Sequence, residues 1–280
     1  MKEKPINPEL LNKVKDGLIK SGFPLELRMA KIIEEKGWNY TIASHYLDFE
    51  TNKLRESDII ADKIINGTEI YLMIECKKSD DKQLILYQPK KQTKGHFSIL
   101  RTKCFPELDV EDDYYLIEHL SRLFKKLPVL STQHQFSNSI IFSKGNQIEQ
   151  NNVSFFSSIN SIVKRSITHY RKSKSRRFYI YIIIYDGYIL KLTYGKDKET
   201  SFDLVEIDYG QYSIDILFDK PKENLVVDIE NIQAFGSNFI VEIMKPSFFS
   251  IYLDHIESVL RNVNKNELNG WGEESEDLPF

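Results

Sequence analysis

Residues Tyr71-Leu-Met-Ile-Glu-Cys-Lys-Lys-Ser-Asp80, YLMIECKKSD, start as an apolar strand and then place Glu75 and Lys77 on one face of it. Side chains two apart on a strand share a face, so a carboxylate and an ammonium stand together where burial is expected. The explanation lies just upstream. Asn66-Gly67 separates RESDIIADKII (55–65) from TEIYLMIECKK (68–78), and this dipeptide between alternating apolar runs is the strongest short hairpin signal. A two-residue loop opposes Ile65 to Thr68, and counting outward sets Asp58 against Glu75 and Lys77 against Glu56. Directly opposed residues have Cβ atoms about 4.5–5.5 Å apart, and like charges there repel. Paired carboxylates at that spacing suit a hard divalent cation, which takes oxygen ligands.

Working outward, WNYTIASHYLDF (38–49) reads as a first strand of the same meander, preceded by two helical patterns. In the first, Leu10, Leu11, Val14 and Leu18 form an apolar stripe that ends near Gly22. In the second, Pro24 suits the first turn and Gly37 the stop. Its stripe is Glu26, Met29, Ala30 and Ile33, which puts a carboxylate on a face that should pack. Glu26 is also a first-turn acid, favourable to the helix dipole.

Downstream, residues 81–152 mix one amphipathic helix (112–127) with loop-like sequence and read as an insertion. A helix over 153–173 carries Phe156, Ile159, Val163, Ile167 and Tyr170 on one stripe. It leads to the strand FYIYIIIY (178–185), a turn at Asp186-Gly187 and a second strand, YILKLTYG. Strands NLVVDI (224–229) and FIVEIM (239–244) precede a closing helix, and residues 268–280 read as an acidic, mobile tail.

Glu26 in the leading helix, Asp58 in the second strand and Glu75-Cys76-Lys77 in the third resemble the PD-(D/E)XK, or restriction-endonuclease-like, nuclease superfamily. The motif portion covers residues 22–78. The order helix, three-strand meander, helix, strand is similar to that family's core, and Ser57 stands where the motif's name has proline. The resemblance implies a single α/β domain over 1–280, with a central mixed sheet containing an antiparallel β-meander and flanked by helices. It also implies Mg²⁺-dependent hydrolysis of phosphodiester bonds in DNA, with Mn²⁺ able to substitute. Asp58, Glu75 and the Cys76 carbonyl would hold the metal, which polarises the phosphate and acidifies bound water. Lys77 would orient or help deprotonate that water, and Glu26 would take a metal water or a second ion. Gln88 lies where some members place a supporting glutamine. A prokaryotic restriction or anti-phage setting follows by analogy, with a homo-oligomer or a defence-system protein as partner. An RNA nuclease with the same site, a non-catalytic subunit binding nucleic acid or protein, and a structural protein without metal are the alternatives.

Composition is compatible with this reading without requiring it. The chain has 280 residues, 41% hydrophobic, enough for a sizeable core. A net charge of −3 gives no global basic field, so polyanion binding would rest on a local patch. The run Lys164, Arg165, Arg171, Lys172, Lys174, Arg176, Arg177 is such a patch, or else a solvated helix end. Two cysteines, no apolar leader and a longest apolar run of eight residues (178–185) lead to the expectation of a reduced, cytoplasmic protein without a membrane span. No Walker loop, dinucleotide-binding turn, Cys-x-x-Cys pair or nucleophile elbow is present.

Overall fold

The computed structural model describes residues 7–87, 135–143, 147–149, 153–169, 177–194, 201–216 and 238–262. The helices among them are α1 (Pro8–Lys20), α2 (Phe23–Glu35), α3 (Val153–His169) and α4 (Pro246–Asn262). The strands are β1 (Asn39–Asp48), β2 (Lys53–Ile65), β3 (Thr68–Tyr87), β4 (Gln135–Phe136), β5 (Asn138–Ser143), β6 (Gln147–Glu149), β7 (Arg177–Tyr194), β8 (Phe202–Glu206), β9 (Tyr209–Asp215) and β10 (Asn238–Met244). They form one open mixed sheet in the order β1-β2-β3-β7-β10-β9-β4, with β5 on the far half of β3, β6 on β5 and β8 on β7.

The Asn66-Gly67 turn has both residues at positive φ, 51° and 78°, as a two-residue type I′ loop requires. It locks the expected register, from Ile65 opposite Thr68 to Ile59 opposite Ile74. β1 and β3 flank β2 in antiparallel pairing, while β3, β7 and β10 run parallel to one another. Strand β7 lies inside the sheet, so both its faces are covered and its run is continuously apolar. Ile180, Ile182 and Ile184 pack with Met29 and Ile33 of α2 and Leu253 and Ile256 of α4. Tyr179, Tyr181 and Ile183 pack on the opposite face with Ile159, Val163 and Ile167 of α3. Helices thus flank both faces, and no helix among the described residues is long and apolar enough to cross a membrane.

Four details differ from the sequence expectation. Asp186-Gly187 is no turn: β7 runs straight through it. Opposite it, β3 advances five residues, Lys78 to Gln83, while β7 advances two, Asp186 to Tyr188, so β3 carries three extra residues as a bulge. Ser79 closes the bulge, its Oγ accepting from Lys82 N and donating to Lys82 O, each at 3.1 Å. A Cβ on Gly187 would lie 2.9 Å from Ser79 O, so the glycine serves close approach rather than chain reversal. Second, residues 81–87 continue β3, and 138–143 pair with them, so these parts of the segment read as an insertion belong to the sheet. Third, the buried stripe of α3 takes Phe155 rather than Phe156. Fourth, α1 buries none of its residues; Leu10, Leu11, Val14 and Leu18 are all exposed. The helix over 112–127, the strand over 224–229, the tail over 268–280, Gln88, Tyr170, Arg171, Lys172, Lys174 and Arg176 lie outside the described residues.

Candidate active site

The β2–β3 ladder stops at Ile59 opposite Ile74. One residue further, Asp58 turns its carboxylate into the ladder, and Oδ2 accepts from the Cys76 N–H at 2.7 Å. A strand residue whose N–H points to a neighbour points its C=O the same way, so the Cys76 carbonyl is also directed to this opening. Asp58, Glu75 and Lys77 share the α3 side of the sheet. They line a cleft of about 760 Å³ together with Tyr46, Asp48 and Arg55 of the β1–β2 hairpin and Phe156, Ser161 and Lys164 of α3.

Glu75 is 4% exposed. Its Oε2 lies 3.1 Å from Lys77 Nζ, and its Oε1 accepts from Ser161 Oγ at 3.2 Å. Burial first, then the Asp58 charge, push its carboxyl pKa up, against the pull of Lys77 and Ser161. Asp58 is raised too, by burial, while the Cys76 N–H and Lys77 pull it down. For Lys77 burial opposes the charge, but Glu75 and Asp58 outweigh it and the ammonium is held more firmly than usual. The cross-strand bridge between Lys77 and Glu56 that the register allows does not form: Lys77 pairs with Glu75, and Glu56 lies 3.5 Å from His45 of β1.

Glu26 stands half-buried at the start of α2. Burial raises its pKa, with further contributions from Asp58 and Glu56, so it lies within electrostatic reach of the site. It is not part of the cleft wall. Among the described residues no group of three or more His, Cys, Asp or Glu converges to hold a metal, so Glu26 does not complete a three-carboxylate cage with Asp58 and Glu75. Mg²⁺ is commonly held by one or two carboxylates, with water filling the remaining positions. Two buried carboxylates with raised pKa values, the Glu75 carboxyl pushed up further by the Asp58 charge, beside a main-chain carbonyl therefore fit such an ion without a third.

The basic run divides at its first two members. Lys164 is buried and spans from α3 to the β1–β2 hairpin, 3.2 Å from Asp48 Oδ1 and 2.5 Å from Glu50 Oε2. Asp48 also accepts from the N–H groups of Glu50 and Thr51, and together with Lys164 these hold its carboxyl pKa down against burial. Lys164 thus fastens the hairpin to α3 and has no free charge for a phosphate. Arg165 makes no salt bridge among the described residues; its guanidinium lies 5.7 Å over the Tyr46 ring, and its Nε is buried without a hydrogen-bond partner. The sequence reading missed Tyr46, Asp48 and Ser161. A serine in the middle of a helix gives no local signal of a carboxylate 86 residues away. No known protein family, characterised protein or solved structure matches the chain.

Proposed function

We propose that the chain is a divalent-metal-dependent endonuclease of the PD-(D/E)XK kind that hydrolyses phosphodiester bonds in DNA, in a prokaryotic restriction or anti-phage setting. The observation that carries this reading is the break in the β2–β3 ladder. There Asp58, Glu75 and Lys77 line a cleft, and Asp58 takes the Cys76 N–H that the ladder leaves unused. The element order supports the finer fold assignment: α2, the β1–β2–β3 meander, α3, then β7 parallel to β3. Perturbed carboxylates in a cleft are where catalytic groups are sought.

Asp58, Glu75 and the Cys76 carbonyl would hold Mg²⁺ or Mn²⁺. Such an ion supplies Lewis-acid stabilisation of phosphate charge and acidifies water. Lys77, held protonated by its two acidic neighbours, orients water and offsets charge on the phosphate; a raised pKa makes it a poor general base. Phe156 and Ser157, Ser158 and Ser161 of α3 line the same cleft as the carboxylates.

Plasmid DNA and RNA incubated with Mg²⁺, Mn²⁺ or EDTA test the reading. Cleavage with metal, absent in EDTA and in Asp58→Ala, is expected; cleavage by Asp58→Ala near the wild-type rate would refute it. Melting curves give a check that needs no substrate. Metal should raise the wild-type Tm, by about 2.7 kcal/mol of stabilisation at a hundredfold excess over Kd. Asp58→Asn should be as stable as wild type in EDTA and should ignore metal.

A further inference from the structure

Glu75 is gripped at both carboxylate oxygens by different elements. Lys77, on its own strand, holds Oε2, and Ser161 of α3 donates to Oε1. Tyr46 of β1 stands behind the serine, 4% exposed, with its hydroxyl 3.2 Å from both Ser161 Oγ and Ser161 O. A serine hydroxyl has one proton, and an ionised carboxylate only accepts. With Glu75 ionised, as metal binding requires, the serine proton goes to Glu75, and the single Tyr46 phenol proton is shared between Ser161 O and Ser161 Oγ. The direction of the chain Tyr46 to Ser161 to Glu75 is thereby fixed. Arg165, four residues beyond Ser161 and so on the same helical face, lies over the Tyr46 ring. Tyr46 is thus held by two residues of α3, and α3 in turn is fastened to the hairpin through Lys164.

We propose that Ser161, oriented by Tyr46, is a positioning residue for metal binding. It fixes the rotation of the Glu75 carboxylate so that its free lone pairs face Asp58 and the Cys76 carbonyl. This rests on the reading of Asp58 and Glu75 as the metal-binding pair. Hydrogen-bond partners of metal-ligating carboxylates change affinity about 10–100-fold when removed. A hydroxyl that merely satisfied a buried carboxylate would affect stability and leave metal affinity unchanged.

The test uses the full chain and Mn²⁺ alone, with free Mn²⁺ read by its electron paramagnetic resonance signal and apo stability by melting. Ser161→Ala should weaken Mn²⁺ binding about tenfold or more, and Ser161→Thr, which keeps the hydroxyl, should restore it. Tyr46→Phe should weaken binding in the same direction by less. Wild-type affinity in both Ser161→Ala and Tyr46→Phe, with binding lost in Asp58→Asn, would overturn the positioning role and leave the metal pair standing. Failure of Thr to restore affinity would overturn it as well. A wild type that binds no Mn²⁺ would overturn both readings together.

Discussion

Two glutamates on inner strands of one sheet, Glu75 of β3 and Glu242 of β10, are almost sealed from solvent, at 4% and 1% exposure. Burial is the main cause of a raised pKa at each, and it carries Glu242 to about 7. Their neighbours differ in kind. Glu242 accepts from the Tyr209 hydroxyl at 2.6 Å and from Gln211 Nε2 at 3.1 Å, both neutral donors. Burial raises the phenol pKa of Tyr252 of α4, and the nearby Glu242 charge raises it further. Glu75 has Asp58 and Lys77 as charged neighbours and opens on the cleft. A shifted pKa alone therefore does not mark a site in this molecule. Opposed like charges, a cation and access from outside distinguish Glu75 from a carboxyl that can simply take a proton in the core.

The largest effect should separate the two in the cleavage assay. Glu75→Gln keeps the shape and loses the charge, and cleavage should fall to background. Glu242→Gln should cleave as wild type. Equal loss in both variants, with folding intact, would erase the distinction drawn between them.

A third buried carboxylate, Asp48, sharpens the contrast, because there the charge is kept by a buried partner. Lys164→Ala leaves Asp48 without its ammonium, and breaking a buried pair costs about 3–5 kcal/mol. Urea unfolding should show a loss of that order. A loss below about 1 kcal/mol would place Lys164 among weak surface pairs. For Glu242 the sign is the reverse of that for Asp48. Its folded pKa is raised from 4.5 to about 7, so its contribution to stability is full below the unfolded value and is lost as pH rises through about 7. Between about pH 5 and pH 8 wild type should lose on the order of 3 kcal/mol relative to Glu242→Gln. Parallel stability profiles for the two proteins would contradict the neutral-core account.

What the sequence disclosed follows from how local the cause is. The Asn66-Gly67 turn sets its own backbone conformation, so the register can be counted along the chain from it to Asp58 and Glu75. Asp186-Gly187 looks the same in sequence, yet the demand on Gly187 comes from the bulge at Ser79, more than a hundred residues away. The Leu10–Leu18 stripe of α1 is legible as amphipathic, but periodicity does not say what a face meets, and here no residue of α1 is buried. The grip of Ser161 on Glu75 is likewise set by how α3 lies across the sheet.

Lys164 and Arg165 show the same limit at its finest and give the smallest expected effect. As neighbours in one basic run they are indistinguishable in sequence, but successive helix residues point about 100° apart. One turns inward to Asp48 and Glu50, and the other meets the Tyr46 ring without a carboxylate partner among the described residues. Burial lowers the Arg165 pKa, yet an arginine stays charged, and an unpaired guanidinium beside the cleft wall is suited to a phosphate. Arg165→Ala should therefore weaken binding of duplex DNA in the presence of Ca²⁺. The slope of log affinity against log salt should fall by about 0.9, the value for one lost phosphate contact. Arg165→Lys keeps the charge and should retain the slope while losing the flat contact with Tyr46. Affinity lost in Arg165→Ala with an unchanged slope would mean that the guanidinium acts through Tyr46 packing, and its place in the basic patch would then be withdrawn.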